Sequence, residues 1–134
     1  MHPHSWVVII TVAALLTYVW MCLRVVFARQ KSGIAAPAMT GDPALERHIR
    51  VQANTLEWLP IFLPSLWLFA VYWNDMVAAA LGAVWIVGRV VYALGYAAAP
   101  EKRELGFMIQ ALATAVLLFG VLGRAIWMLM SVGA

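Results

Sequence analysis

Residues 46–73, ERHIRVQANTLEWLPIFLPSLWLFAVYW, form a predicted membrane-spanning helix whose first third is polar. The polar side chains of that third are Arg47, His48, Arg50, Gln52, Asn54 and Glu57. The segment exceeds the roughly 20 residues that a helix needs to cross a bilayer. Ionisable groups at membrane depth cost at least ~2.5 kcal/mol, so they need shelter from lipid. The segment therefore predicts a helix that packs against other helices of a bundle.

The composition of the whole chain indicates the same environment. Of its 134 residues, 65% are hydrophobic and 11% are charged, whereas soluble domains carry about 45–50% apolar and ~25% charged residues. Further apolar stretches are long enough to span a membrane, and the predicted spans are about 6–27, 46–73, 76–96 and 105–130. The remaining loops are too short for a soluble catalytic domain. We therefore expect a single domain, residues 1–134, with an all-α fold: an integral membrane four-helix bundle.

The charges are few, and their distribution predicts the topology. A net charge of +3, scattered along the chain, excludes the basic surface that nucleic acids require. Lys and Arg concentrate in the first and third loops, which the positive-inside rule places in the cytoplasm, with both termini on the opposite side. A lone cysteine, Cys22, and the histidines His2 and His4 are too few for a metal site, so we expect none.

Helical spacing gathers polar groups into two stripes, one on the second span and one on the third. The stripes consist of Arg47, Arg50, Asn54 and Glu57 on the second span and of Gly82, Trp85, Arg89, Tyr92 and Tyr96 on the third. Glu57 and Arg89 each lie about 10 Å inward from the same interface, so the two side chains could pair. Gln52 lies about 200° around its helix from Arg50 and points elsewhere.

These stripes predict a cavity near the cytoplasmic interface. Several guanidinium groups, one carboxylate, amides and phenols fit a zwitterionic, net-anionic small molecule with carboxylates and an amine. Pro60 and Pro64 follow the stripe, and each removes a helix hydrogen bond, which predicts a widened cavity. The simpler alternative is that Glu57 and Arg89 only neutralise each other inside the bundle. A cation pump is disfavoured because arginines outnumber acids at depth.

Two motifs carry a resemblance to a known family. Residues 46–60, ERHIRVQANTLEWLP, resemble the pattern Glu-Arg-x-x-Arg-x-Gln-x-Asn-x-x-Glu-x-x-Pro of the MAPEG family, the membrane-associated proteins in eicosanoid and glutathione metabolism. Residues 89–107, RVVYALGYAAAPEKRELGF, are similar to the family's Arg-x-x-Tyr-x-x-Gly-Tyr segment with its following loop and arginine. The likeness is greatest to the branch that contains leukotriene-C synthases and microsomal glutathione transferases.

The resemblance implies a homotrimer that binds glutathione, as cofactor or co-substrate, between neighbouring subunits near the cytoplasmic face. Carried over position by position, the glutathione-contacting residues are Arg29, Arg50, Gln52, Asn54, Glu57, Trp58, Tyr92 and Tyr96. Gln52 would reach in from the adjacent subunit. Arg103 matches the catalytic arginine that stabilises the thiolate, although counting from the loop proline, as in other branches, selects Lys102. Gln30 and Trp58 depart from the leukotriene-C synthase pattern, which has arginine and tyrosine there.

The implied activity is that of a membrane glutathione transferase. A free thiol has a pKa near 8.5, so a fixed guanidinium such as that of Arg103 would raise the thiolate fraction at neutral pH. The thiolate would attack an apolar electrophile from the bilayer, or a lipid hydroperoxide if the protein is also a peroxidase. The alternative is a non-catalytic membrane binding or assembly protein of the same fold. A small transporter fits less well, because nothing resembles a gated acidic pathway.

Overall fold

The computed structural model describes residues 3–132 as a bundle of long helices. These are α1 (Ser5–Ser32), α2 (Pro43–Tyr72), α3 (Asp75–Ala98) and α4 (Glu104–Val132), and a short 3-10 helix, Pro100–Arg103, precedes α4. All four long helices have the length and hydropathy needed to cross a membrane. The predicted all-α, four-helix architecture is therefore confirmed for the described residues.

Caps define where the helices begin and end. α1 ends at Gly33, which adopts the left-handed conformation (φ 75°) and donates its N–H to the Arg29 carbonyl at 2.8 Å, as helix-ending glycines commonly do. α2 begins after Asp42, whose carboxylate accepts the Leu45 N–H at 2.9 Å. Asn74 caps α3 in the same way. The turn between α2 and α3 is consequently tight, and residues 33–42 form the longest connection in the described part of the chain.

Successive helices run antiparallel, so each end of the bundle gathers several helix ends. We call the end that contains residues 33–42 and the 3-10 helix the loop end. There, Arg47 Nε donates to the Ala97 carbonyl at 3.2 Å and ties the start of α2 to the end of α3. At the opposite end, His4 Nδ1 lies 3.3 Å from an Asp75 carboxylate oxygen. His2, the other histidine considered above, lies outside the described residues.

The core holds the helices at distances that position the polar residues. Phe62 of α2 stacks on Trp85 of α3 with ring centroids 4.0 Å apart, and both side chains are fully buried. α3 and α4 approach so closely that a Cβ at Gly106 would overlap the backbone of Tyr92. Outward faces remain apolar, as at Met130, which is 78% exposed. Such surfaces match a lipid environment, in which exposed apolar side chains carry no cost.

Replacing Gly106 by alanine should destabilise the bundle by about 1–3 kcal/mol, since the added methyl group meets backbone rather than a movable side chain. Because α3 must shift, Tyr92 would be displaced. Gly123→Ala is the matched control: an added Cβ there meets nothing within 4 Å, and alanine favours the helix by about 1 kcal/mol. The melting temperature in detergent should therefore fall for Gly106→Ala and rise for Gly123→Ala. Equal melting temperatures for both would contradict the close helix approach.

Candidate functional site

A cavity of about 310 Å³ opens between α2, α3 and the start of α4 at the loop end. Its lining residues are Arg50, Asn54, Tyr92, Tyr96, Arg103, Glu104 and Phe107. Five of the nine residues that the sequence predicts for the site thus lie around one space. A second, shallower cavity continues outward from it, because Arg50 and Tyr96 line both. Together the two cavities form an open, cation-rich depression reaching from membrane depth to the loop end.

Arg89 supports the inner end of this cavity. Its fully buried guanidinium donates from Nη1 to Asn54 Oδ1 at 2.8 Å and to Thr55 Oγ1 at 3.4 Å. It also lies over three aromatic rings, and the Tyr92 ring centroid is 5.0 Å from the guanidinium carbon. The geometry matches a cation–π contact, worth up to about 2 kcal/mol where water is excluded. Arg89 therefore orients Asn54 and Tyr92, two groups that line the cavity.

The predicted ion pair between Glu57 and Arg89 is wrong for the protomer. No carboxylate of residues 3–132 lies within 4.0 Å of the Arg89 nitrogens. Glu57 is exposed on the outer face of α2, whereas the guanidinium points into the bundle, where the Asn54 amide reaches it. Equal depth along two helices did not determine the contact, because the two side chains leave their helices in different directions.

Arg103 lies at the rim of the cavity, at the end of the 3-10 helix. Its Nη1 donates to the Pro100 carbonyl at 3.1 Å, and its guanidinium carbon is 5.5 Å from the Tyr96 ring centroid. Tyr96 in turn meets Tyr92 edge to face, with centroids 5.6 Å apart. Lys102 is exposed and does not line this cavity. Of these two cations, Arg103 alone therefore lines the cavity.

The other predicted contacts lie outside this cavity within one protomer. Gln52 faces α1, where its amide nitrogen donates to the Tyr18 hydroxyl at 3.3 Å and lies 3.5 Å from Cys22 Sγ. Arg29 donates to the Ala38 carbonyl at 2.7 Å and so holds the 33–42 loop. Glu57 points outward, as described above. Gln52 was correctly separated from the stripe by its helical angle.

Trp58 forms a wall behind the cavity rather than part of its lining. Its ring meets Phe107 edge to face, with centroids 5.6 Å apart. Pro60 and Pro64 are exposed and line neither cavity, and α2 continues through both prolines without a break. That the prolines widen the cavity next to the polar stripe therefore stays a prediction.

Sequence reasoning missed two lining residues, Glu104 and Phe107. Glu104 directly follows Arg103, and Phe107 comes one helical turn later. Their proximity to Arg103 in the sequence could have indicated that they belong to the same site. It does so only when the start of α4 is known to close the cavity. Glu104 is the one carboxylate among the residues described as lining the 310 Å³ cavity.

The chain is similar to a known protein family over most of its length. The model of the MAPEG family matches residues 7–123. The chain belongs to the MAPEG family. Human microsomal glutathione S-transferase 2 is 42% identical over 107 residues, which cover 79% of this chain and 73% of the relative. These findings confirm the family resemblance on which the site prediction was based.

Two further relatives of this MAPEG protein span most of its length. A protein of Synechocystis sp. described as uncharacterised is 47% identical over 124 residues, or 92% of this chain and 90% of the relative. Bovine leukotriene C4 synthase is 30% identical over 125 residues, or 93% and 75%. Family membership and four apolar helices together identify an integral, multi-pass membrane protein.

Proposed function

We propose that this protein is a membrane glutathione transferase whose site is the cavity between α2, α3 and α4. The observation that carries the proposal is the meeting of Arg50, Asn54, Arg103 and two tyrosines around one open space. Guanidinium and amide groups recognise the carboxylates and peptide bonds of glutathione. The relatives named above as a glutathione S-transferase and a leukotriene C4 synthase support the same chemistry.

Arg103 is the proposed activator of the thiol. A thiol with a pKa near 8.5 is only a few per cent ionised at neutral pH, and a neighbouring guanidinium favours the thiolate. The Pro100 carbonyl accepts from Nη1, and the other donors of the guanidinium fork are available to the sulfur. The thiol proton passes to water, the sulfur forms a bond to the electrophilic carbon, and the leaving group departs with the electrons of its bond.

The electrophile would enter from the bilayer. Phe107 is an apolar residue of the cavity lining and packs against Trp58, and Met108 and Leu112 on α4 are more than half exposed. An apolar molecule dissolved in lipid can therefore approach the sulfur without crossing water. Attack of the same thiolate on a lipid hydroperoxide is the second reaction that the site would support, and cumene hydroperoxide is the probe for it.

Assembly into a homotrimer is part of the proposal. Arg50 and Glu57 are exposed on α2, and Glu57 lies seven residues, or about 10 Å, deeper in the membrane than Arg50. A carboxylate facing lipid at that depth would cost at least ~2.5 kcal/mol, which a covering neighbour would remove. Gln52 and Arg29 of an adjacent subunit could then complete the site. We place the loop end in the cytoplasm, where the Lys and Arg residues of its loops are favoured.

Conjugation by the purified protein in proteoliposomes tests the function. With glutathione and 1-chloro-2,4-dinitrobenzene, we expect product formation well above that of empty liposomes. Glutathione at millimolar concentration should also raise the melting temperature, because a ligand that binds only the folded state stabilises it. Absence of both effects would favour the non-catalytic membrane binding or assembly protein.

Glu104→Gln should raise the KM for glutathione about threefold, as expected for loss of an exposed ion pair with the glutathione ammonium group. The matched control is Glu101→Gln, an exposed neighbour outside the cavity, which should leave KM unchanged. A glutathione analogue without the amine should bind wild type and Glu104→Gln equally. An equal rise in KM for glutathione and the analogue would show that Glu104 does not contact the ammonium.

A further inference from the structure

A separate polar cavity lies between α1 and α2 and is lined by residues that the proposed conjugation does not use. Its volume is about 440 Å³, far more than the roughly 30 Å³ that one water molecule occupies in the liquid. It is lined by Arg24, Phe27, Ala28, Lys31, Ser32, Asp42, Ala44 and His48. None of these residues lines the cavity that contains Arg103.

Arg24 is the unusual feature of this cavity. It lies eight residues before the end of α1, about 12 Å below it, where an unpaired guanidinium is costly. Its Nη1 atom is buried and has no hydrogen-bond partner among residues 3–132. The guanidinium carbon lies 4.8 Å from the Trp20 ring centroid, a contact that supports the cation but accepts none of its hydrogen bonds.

The charges around Arg24 do not balance within the protomer. Lys31 adds a second cation, and His48 adds an imidazole. Asp42 is the one acidic lining residue, but its carboxylate already accepts the Leu45 N–H at 2.9 Å, and no carboxylate of the described residues lies within 4.0 Å of Arg24 or Lys31. An anion would therefore satisfy groups that the protomer leaves without a counter-charge.

The surroundings indicate that this anion is attached to a lipid. Phe27 lines the cavity and is 63% exposed, and Leu23 and Val26 beside it are also exposed apolar side chains. The cavity therefore borders the lipid-facing surface of α1. Basic pockets between membrane helices near the interface are suited to anionic headgroups. We propose that this cavity binds the phosphodiester headgroup of an anionic phospholipid, with Arg24 and Lys31 as the phosphate ligands.

Native mass spectrometry of the delipidated protein with added phosphatidylglycerol tests the proposal. We expect a bound lipid in the wild type and a dissociation constant at least roughly tenfold higher for Arg24→Gln, as loss of a charge-assisted hydrogen bond predicts. The control is Arg124→Gln, whose guanidinium stacks 4.8 Å from the Trp73 ring centroid at the opposite end of the bundle. This variant should bind the lipid as the wild type does.

Further measurements distinguish a lipid headgroup from free phosphate as the bound anion. Inorganic phosphate at millimolar concentration should neither displace phosphatidylglycerol nor raise the melting temperature, and displacement would overturn the lipid assignment in favour of soluble phosphate. Undiminished lipid binding by Arg24→Gln would overturn the site itself. If Arg24→Gln fails to fold, Lys31→Gln at the exposed rim replaces it in the test. We expect this variant to bind the lipid more weakly than the wild type, and unchanged binding would contradict the proposal. None of these readouts depends on conjugation activity.

Discussion

Arg103→Ala is expected to lower the rate of glutathione conjugation about a hundredfold, the usual cost of removing one donor that stabilises developing charge. The guanidinium lies at the rim of the cavity, 5.5 Å from the Tyr96 ring centroid. Without it, bound glutathione should ionise with a pKa close to that of the free thiol. Titration of the thiolate by its ultraviolet absorbance measures this directly, and the loss of rate should shrink at high pH, where the thiol ionises unaided.

Two neighbouring substitutions sharpen the test of Arg103. Lys102→Ala removes a cation that is adjacent in sequence but does not line the cavity, so its rate should match that of the wild type. Arg103→Lys keeps the charge and loses the planar fork of donors. The ionised fraction of bound glutathione should therefore lie between that of Arg103→Ala and that of the wild type. If Lys102→Ala is the slow variant and Arg103→Ala titrates like the wild type, the assignment of the activator is reversed.

Asn54→Leu is expected to destabilise the protein by about 3 kcal/mol or more, since it leaves the buried Arg89 guanidinium without its 2.8 Å acceptor. For a chain of this size, that corresponds to a fall in melting temperature of roughly 10 °C. The matched control on the same helix is Gln52→Leu. Its amide makes only long contacts with neutral groups, at 3.3 and 3.5 Å, so the loss should be about 1 kcal/mol or less.

A double variant identifies the cause of the Asn54 effect. Adding Arg89→Met to Asn54→Leu removes the stranded charge together with its former partner and should restore most of the lost stability, as replacement of buried polar pairs by apolar residues often does. Thermal unfolding in detergent gives all four members of the cycle. Additive losses in the double variant would mean that Arg89 and Asn54 stabilise the bundle independently.

Much of the site could be predicted because helical periodicity is a local property. Arg50 and Asn54 lie on one face of α2, and Tyr92 and Tyr96 on one face of α3, whatever the rest of the chain does. Both pairs meet at one cavity because the two helices run antiparallel and turn these faces towards each other, as the polar character of both faces predicts. The partner of Arg89 could not be predicted this way: choosing between Glu57 and Asn54 requires the rotation of each helix about its axis, which packing sets.

The amino-acid sequence by itself determined four apolar helices, the family and most of the residues that line the candidate cavity, because hydropathy, helical period and motif spacing all act over short stretches of chain. Tertiary structure alone decided that Arg89 donates a hydrogen bond to Asn54, that Glu57 points outward and that Glu104 and Phe107 line the cavity. The close approach of α3 to α4 at Gly106 brings the start of α4 against Tyr92, and residues far apart in sequence meet only through such packing.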